Sequence, residues 1–246
     1  AQMGAPVCEV FLDTYCEYEP EFARLVRDKA DARGLRVRSV HAMSTQFEPQ
    51  LFSLHGRQRK DAFRMLKKVF AAARILGAEA YVFHGPPAFQ RTLRLVHDYK
   101  RMGQVGSELA DIAGEYGLKF TWENVYWCAY RHTEFARNLL SHVTSENLYF
   151  TLDIKQAVLS GYPFERYIED MGTRIANVHL CDYQTLENGN IRTCLPGTGE
   201  LDLPLLRDLL EQAGYDSPII LEVYSSNYAD YDALATCYRY VQGIFA

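Results

Sequence analysis

The feature that most constrains this chain is a regular alternation of short apolar runs and longer amphipathic stretches. The runs are Val7 to Leu12 (VCEVFL), Arg36 to His41 (RVRSVH), Ala80 to His84 (AYVFH), Lys119 to Val125 (KFTWENV), Leu148 to Asp153 (LYFTLD), Arg174 to Leu180 (RIANVHL) and Pro218 to Val223 (PIILEV). Their length and β-prone composition predict strands. Helical patterns stand between them. Pro20 to Arg33 places Phe22, Leu25, Val26 and Ala30 on one face, with Gly34 as the stop. Arg57 to Leu76 repeats Phe63, Leu66, Val69, Phe70 and Ala73 at helical spacing and closes on Gly77. Further helices are expected over Arg91 to Tyr116, His132 to Ser141, Gln156 to Ser160, Pro163 to Met171, Leu203 to Ala213 and Tyr228 to Val241. Ala42 to about His55 and Cys181 to Glu200 read as loops.

Strands that are apolar almost throughout, each followed by a helix, predict a parallel sheet covered by helices. An even train of βα units with no mid-chain linker suits an α/β TIM (β/α)8 barrel better than a doubly wound sheet. No GxGxxG follows the first strand, so a dinucleotide fold has no support. The expectation is one domain over residues 1–246. Seven strands are read, and the barrel needs eight. The favoured account is that the first βα unit is lacking from this chain. The rival is that residues near Asn190 to Leu195 supply the missing strand.

Composition narrows the function. The net charge of −5 argues against a nucleic-acid partner, which requires a basic face. The six cysteines form no CxxC pair and no zinc-ribbon spacing, which reads as free thiols in a reducing cytoplasm. No apolar run reaches the roughly 18–20 residues of a membrane span, and no signal-peptide pattern opens the chain. No membrane partner is expected.

Glu123 is the first residue to demand an explanation, because an apolar strand ends on it. A buried carboxylate is costly unless it is paired or bound to a metal. The chain repeats the arrangement: His41, His84, Glu123, Asp153, His179 and Glu222 stand at or near the C-terminal ends of six strands, one βα unit apart. In a parallel barrel these ends share one rim, where active sites sit. Glu123, Asp153, His179 and Glu222 then form a set of three carboxylates and one imidazole. That set suits one divalent ion, with Mn²⁺ first and Mg²⁺, Co²⁺ or Zn²⁺ also acceptable. Without an ion the carboxylates would repel, and one would stay protonated.

These residues resemble the xylose-isomerase-like TIM barrels, a group of sugar isomerases, sugar epimerases and endonuclease IV. The resemblance covers nearly the whole chain. It rests on WENV at Trp122 to Val125, LDIKQAVLSGYP at Leu152 to Pro163, NVHLCD at Asn177 to Asp182, PGTGELD at Pro196 to Asp202 and ILEVY at Ile220 to Tyr224. The family's four metal ligands fall on Glu123, Asp153, His179 and Glu222. The resemblance implies a metal-dependent sugar isomerase or epimerase acting through proton abstraction next to a carbonyl and a metal-stabilised enediolate. Glu123 and Glu222 would be the proton-transfer pair. His84, His41, Gln156, Asp182 and Arg192 would bind substrate. Aromatic candidates for the mouth are Phe47, Trp127 and Tyr224. A homodimer is the expected assembly.

One departure matters. Family members commonly carry a His three residues after the Asp ligand, and here that position is Gln156. Gln can bind a hydroxyl but is a poor metal ligand, which disfavours an endonuclease IV-like phosphodiesterase with its larger zinc cluster. The same scaffold also suits a dehydratase or lyase acting on a hydroxy-keto acid, with Lys155 or Arg192 taking the substrate carboxylate. A non-catalytic sugar-binding protein is the remaining possibility.

Overall fold

The computed structural model describes residues 3–88 and 97–246. The start of the helix expected over Arg91 to Tyr116 lies outside these residues. The chain runs β1 (Val7–Leu12), α1 (Pro20–Asp31), β2 (Arg36–Ala42), α2 (Ser44–Leu51), α3 (Gly56–Leu76), β3 (Ala80–Phe83), α4 (Tyr99–Glu115), β4 (Lys119–Glu123), α5 (Phe135–Leu140) and β5 (Leu148–Asp153). It continues through α6 (Ile154–Leu159), α7 (Phe164–Met171), β6 (Ile175–Leu180), β7 (Asp182–Thr185), β8 (Ile191–Cys194), α8 (Leu203–Gln212), β9 (Ile220–Leu221) and α9 (Tyr231–Ile244).

Seven strands pair in parallel in the order β1-β2-β3-β4-β5-β6-β9 and curve into a nearly closed barrel with helices around it. β1 and β9 are its two edges. They face each other across a cleft of about 860 Å³, lined by Val7, Phe11, Ile219, Leu221 and Val223 among others. The stretch from Asn190 to Leu195 does not enter this sheet. Ile191–Cys194 pairs antiparallel with Asp182–Thr185 to make a separate hairpin. Its strands are largely polar and its turn needs Gly189 at φ +78°, so no apolar run betrays it. The stretch from Ala42 to His55 is likewise not all loop. It holds α2, which buries Phe47 and Leu51 in the core. Phe47 packs on Tyr18 there and is not a mouth residue.

The outer face of the sheet is aromatic. Phe83, Phe120 and Trp122 are fully buried beneath Phe52 and Phe135. Burying each phenylalanine contributes roughly 2–3 kcal/mol. Gly85, at φ +82°, lets the turn after β3 cross this layer, since a Cβ there would lie 2.6 Å from the Trp122 indole nitrogen. No helix among the described residues is long and apolar enough to cross a membrane.

Side chains alternate along a strand, so residues two apart share a face. Two residues before the rim, the strands carry Ser39, Thr121, Thr151 and Asn177, with Glu9 opposite Ser39 in the β1–β2 register. This is a polar layer: Thr151 donates to Thr121 at 2.7 Å, and Ser39 donates to Glu9 at 2.6 Å. At the rim, Asn124 donates to the Asp153 carbonyl at 2.9 Å and accepts from the Asp153 amide at 2.8 Å. Its side chain adds one rung to the β4–β5 ladder where the strands end.

Candidate metal centre

Glu123 and Asp153 terminate β4 and β5, His179 lies one residue before the end of β6, and Glu222 follows β9. The Glu222 amide donates to the Leu180 carbonyl at 3.0 Å, which holds its backbone against β6. The four side chains converge, each offering a ligand atom, with all these atoms within 4.8 Å of one another. His179 Nδ1 is the hub. It lies 2.8 Å from Glu222 Oε2, 3.5 Å from Glu123 Oε1 and 3.8 Å from Asp153 Oδ2.

The donor set fits a divalent ion. Ligand atoms around one ion at about 2.1 Å stand roughly 3 Å apart, close to these separations. His179 Nδ1 and Asp153 Oδ2 are buried without a hydrogen-bond partner among the described residues. Buried polar atoms normally make well-aligned hydrogen bonds, and these two make only ion-pair contacts across the cluster, which fits a position for a ligand. Asp153 divides its work. Oδ1 caps α6 by accepting from the Gln156 amide at 2.8 Å, and Oδ2 faces the cluster.

Protonation follows from the crowding. Burial, then the neighbouring Glu222, pushes the Asp153 carboxyl up to about 7. Burial would raise Glu123 too, but His84 and His179 outweigh it and hold this carboxyl well below the usual range. Glu222 is also lowered against burial, by His179 and Lys155. His179 is raised well above the ordinary imidazole value, because Glu9 and the three carboxylates outweigh its burial.

Each outer glutamate has its second oxygen held. Glu123 Oε2 lies 2.9 Å from His84 Nε2, and Glu222 Oε1 lies 2.5 Å from Lys155 Nζ. His41 packs edge-on against His84, with ring centroids 4.3 Å apart, and burial and His84 lower it to about 4. Its Nε2 is buried with no hydrogen-bond partner among the described residues. His41, His84 and Glu123 form a second group with metal-ligand spacing. Trp127 stands perpendicular to His84 at 5.8 Å, beside the same rim.

The remaining expected residues divide. Gln156 sits at the rim, where its Oε1 accepts from the Tyr126 amide at 3.2 Å. Tyr224 reaches the cluster by its hydroxyl, 3.1 Å from Glu222 Oε1. Asp182 staples the loop after β6. Its Oδ1 accepts from the Tyr183 and Leu201 amides at 2.7 and 3.0 Å, and its Oδ2 from Gly197 and Gly199 at 2.9 Å each. That arrangement occupies both oxygens of a buried carboxylate. Arg192 is exposed on the hairpin and donates to Gln184 across the ladder. Glu9 is not among the residues expected from sequence, yet its Oε2 lies 3.0 Å from His179 Nε2. Its signal is an acid inside an apolar strand, two residues before a rim position.

A family model described as xylose isomerase-like TIM barrel matches residues 1–239. Among solved structures, a D-tagatose 3-epimerase-like protein is 20% identical, with a TM-score of 0.78 over 97% of this chain and 88% of that one. The IolI protein with a bound zinc atom is 18% identical, with a TM-score of 0.78 over 99% and 89%. D-psicose 3-epimerase from Clostridium cellulolyticum H10, solved with D-tagatose, is 15% identical, with a TM-score of 0.78 over 99% and 90%. A search of curated protein sequences finds no match. These identities establish a shared architecture, and the family match is nearly full-length: the chain belongs to the xylose isomerase-like TIM barrel family.

Proposed function

We propose that the protein is a divalent-metal-dependent sugar isomerase or epimerase that moves a proton on a carbon next to a carbonyl. The observation that carries this reading is the pair Glu123 and Glu222. Both present one oxygen to His179 Nδ1 and have the other held, by His84 and Lys155 respectively. Sugar epimerases of the same architecture, such as D-psicose 3-epimerase, add support. A divalent ion held by Glu123, Asp153, His179 and Glu222 would supply Lewis-acid polarisation of the carbonyl. Glu123, kept deprotonated by the two imidazoles, takes the proton from the neighbouring carbon. Glu222, relayed a proton by the Lys155 ammonium 2.5 Å away, returns one to the other face of the enediolate, and solvent exchange resets Glu123 and Lys155. The free amide of Gln156 and the His84 ring bind substrate hydroxyls, and Trp127 lies against the sugar.

The lyase reading needs an unpaired cation for a substrate carboxylate. Lys155 is already engaged by Glu222, Tyr224 and Asp153, which favours a neutral sugar. The free thiols of all six cysteines support a cytoplasmic setting.

The test is incorporation of solvent deuterium into D-fructose, D-psicose and D-tagatose by the metal-loaded protein. Exchange at carbon 3 is expected for an epimerase, and Glu123→Gln should reduce it by at least about 100-fold. Undiminished exchange in that variant would rule out the assigned base. A second reading gives His41, His84 and Glu123 an ion of their own, favoured by the orphaned His41 Nε2. Two ions per chain, in place of one, would decide for it.

A further inference from the structure

We infer that Glu9 is a positioning residue for the metal ligand His179: it fixes the imidazole with its proton on Nε2 and its lone pair on Nδ1, facing the three carboxylates. This rests on the metal reading of the cluster.

The two ring nitrogens of His179 have different surroundings. Nε2 lies 3.0 Å from Glu9 Oε2, and a carboxylate accepts hydrogen bonds but does not donate them. Nε2 therefore carries the hydrogen. In the neutral ring, Nδ1 is then left as the acceptor, and it is the nitrogen 2.8 Å from Glu222 and without a hydrogen-bond partner of its own among the described residues. A flipped ring would turn its N–H toward the ion position and its lone pair toward a carboxylate.

Glu9 is itself fixed. Ser39 donates to it at 2.6 Å from the register-paired position on β2, and the Asn177 amide lies 3.3 Å from the same oxygen. Asn177 Nδ2 is also 3.0 Å from His179 Nε2, so two donors converge on one carboxylate oxygen. The assembly draws on β1, β2 and β6. Glu9 adds negative charge behind the ring and supplies no ligand atom, which raises the basicity of Nδ1. Partners of this kind change metal affinity by about 10–100-fold.

The experiment uses the full chain with zinc. Affinity is measured by competition with a chromophoric chelator for wild type, Glu9→Gln and Glu9→Met. Long-range ¹H–¹⁵N correlation spectra of the metal-free proteins, taken at a pH high enough to make the ring neutral, report which nitrogen of His179 carries the proton, with His179→Gln to assign the signal. Glu9→Met should weaken zinc binding by about 10–100-fold and lose the single Nε2–H form. Glu9→Gln, nearly isosteric and still an acceptor, should keep the tautomer and lose a smaller factor. If Glu9 only braced β1 against β2, both variants would bind zinc within twofold of wild type with the ring signal unchanged, and the inference would be overturned. Failure of the wild type to bind zinc would instead remove the metal reading, and the inference with it.

Discussion

Lys155 Nζ stands 2.5 Å from Glu222 Oε1, inside a cluster of acids. The same ammonium is 2.5 Å from the Tyr224 hydroxyl and 3.7 Å from Asp153 Oδ2, and its side chain is only 8% exposed. A lysine in the first turn of α6 thus balances part of the charge that three carboxylates bring together. Burial would lower its affinity for a proton, but Asp153 and Glu222 outweigh that and keep it charged.

Replacing this cation separates stability from ion binding. Lys155→Met should destabilise the metal-free protein at pH 8 by about 2 kcal/mol, a value reduced from that of a fully buried pair because Glu222 is about a third exposed. A divalent ion should restore more stability in the variant than in wild type. Urea unfolding with and without the ion checks both. Equal stabilisation by the ion in the two proteins would contradict the charge balance.

Ion affinity should rise with pH. Asp153, raised to about 7 without the ion, must lose its proton to become a ligand, and the raised His179 must lose one too. Both requirements ease as pH climbs from 6 to 8, so affinity should increase at least about tenfold over that window, with protons released on binding. Calorimetry in two buffers of different ionisation enthalpy measures both. A flat affinity would exclude this account.

Glu48 predicts a pH-dependent stability of its own. It is fully buried on α2, accepting from the Tyr81 hydroxyl at 2.7 Å and the His84 amide at 3.2 Å. Burial pushes its carboxyl up to about 7, against the pull of His84. The folded form therefore holds the proton more tightly than the unfolded form. The stability this contributes is complete below about pH 4.5 and is lost as pH rises through 7, a change on the order of 3 kcal/mol. Subtracting the pH profile of Glu48→Gln from that of wild type should show this decline between pH 5 and 8.

The loop after β6 should depend on its staple. A Cβ on Gly199 would lie 2.2 Å from the Tyr183 carbonyl and 2.3 Å from Asp182 Oδ1. Gly199→Ala should cost about 1–3 kcal/mol, and Asp182→Asn a similar amount, because an amide nitrogen would then face backbone donors. The double variant should lose less than the sum, since both changes disrupt one arrangement. Denaturant unfolding of the three proteins tests this.

The convergence of Glu123, Asp153, His179 and Glu222 is legible in the sequence for a topological reason. Parallel strands deliver their C-terminal residues to one rim, so strand-end acids far apart in the chain become neighbours. Glu9 escaped because its function depends on the layer beneath the rim, and in VCEVFL it looks like any polar residue of a half-buried strand. The loop-stapling part of Asp182 is not legible, because an acid before a Gly-rich loop serves equally well as a substrate contact or as an acceptor for backbone amides. The β7–β8 hairpin escaped because its residues are polar and its pairing is local.

The amide of Asn124 has a consequence for ion selection. It behaves as a piece of main chain, so the spacing between Glu123 and Asp153 is set by peptide geometry. Glu222 differs, because it follows a two-residue edge strand held on one side and is about a third exposed. The site therefore has one side set by paired strands and one side carried on a sheet edge. A divalent ion bound here would meet Glu123 and Asp153 at a set spacing, and Glu222, on the edge strand, would be the ligand that adjusts to its radius.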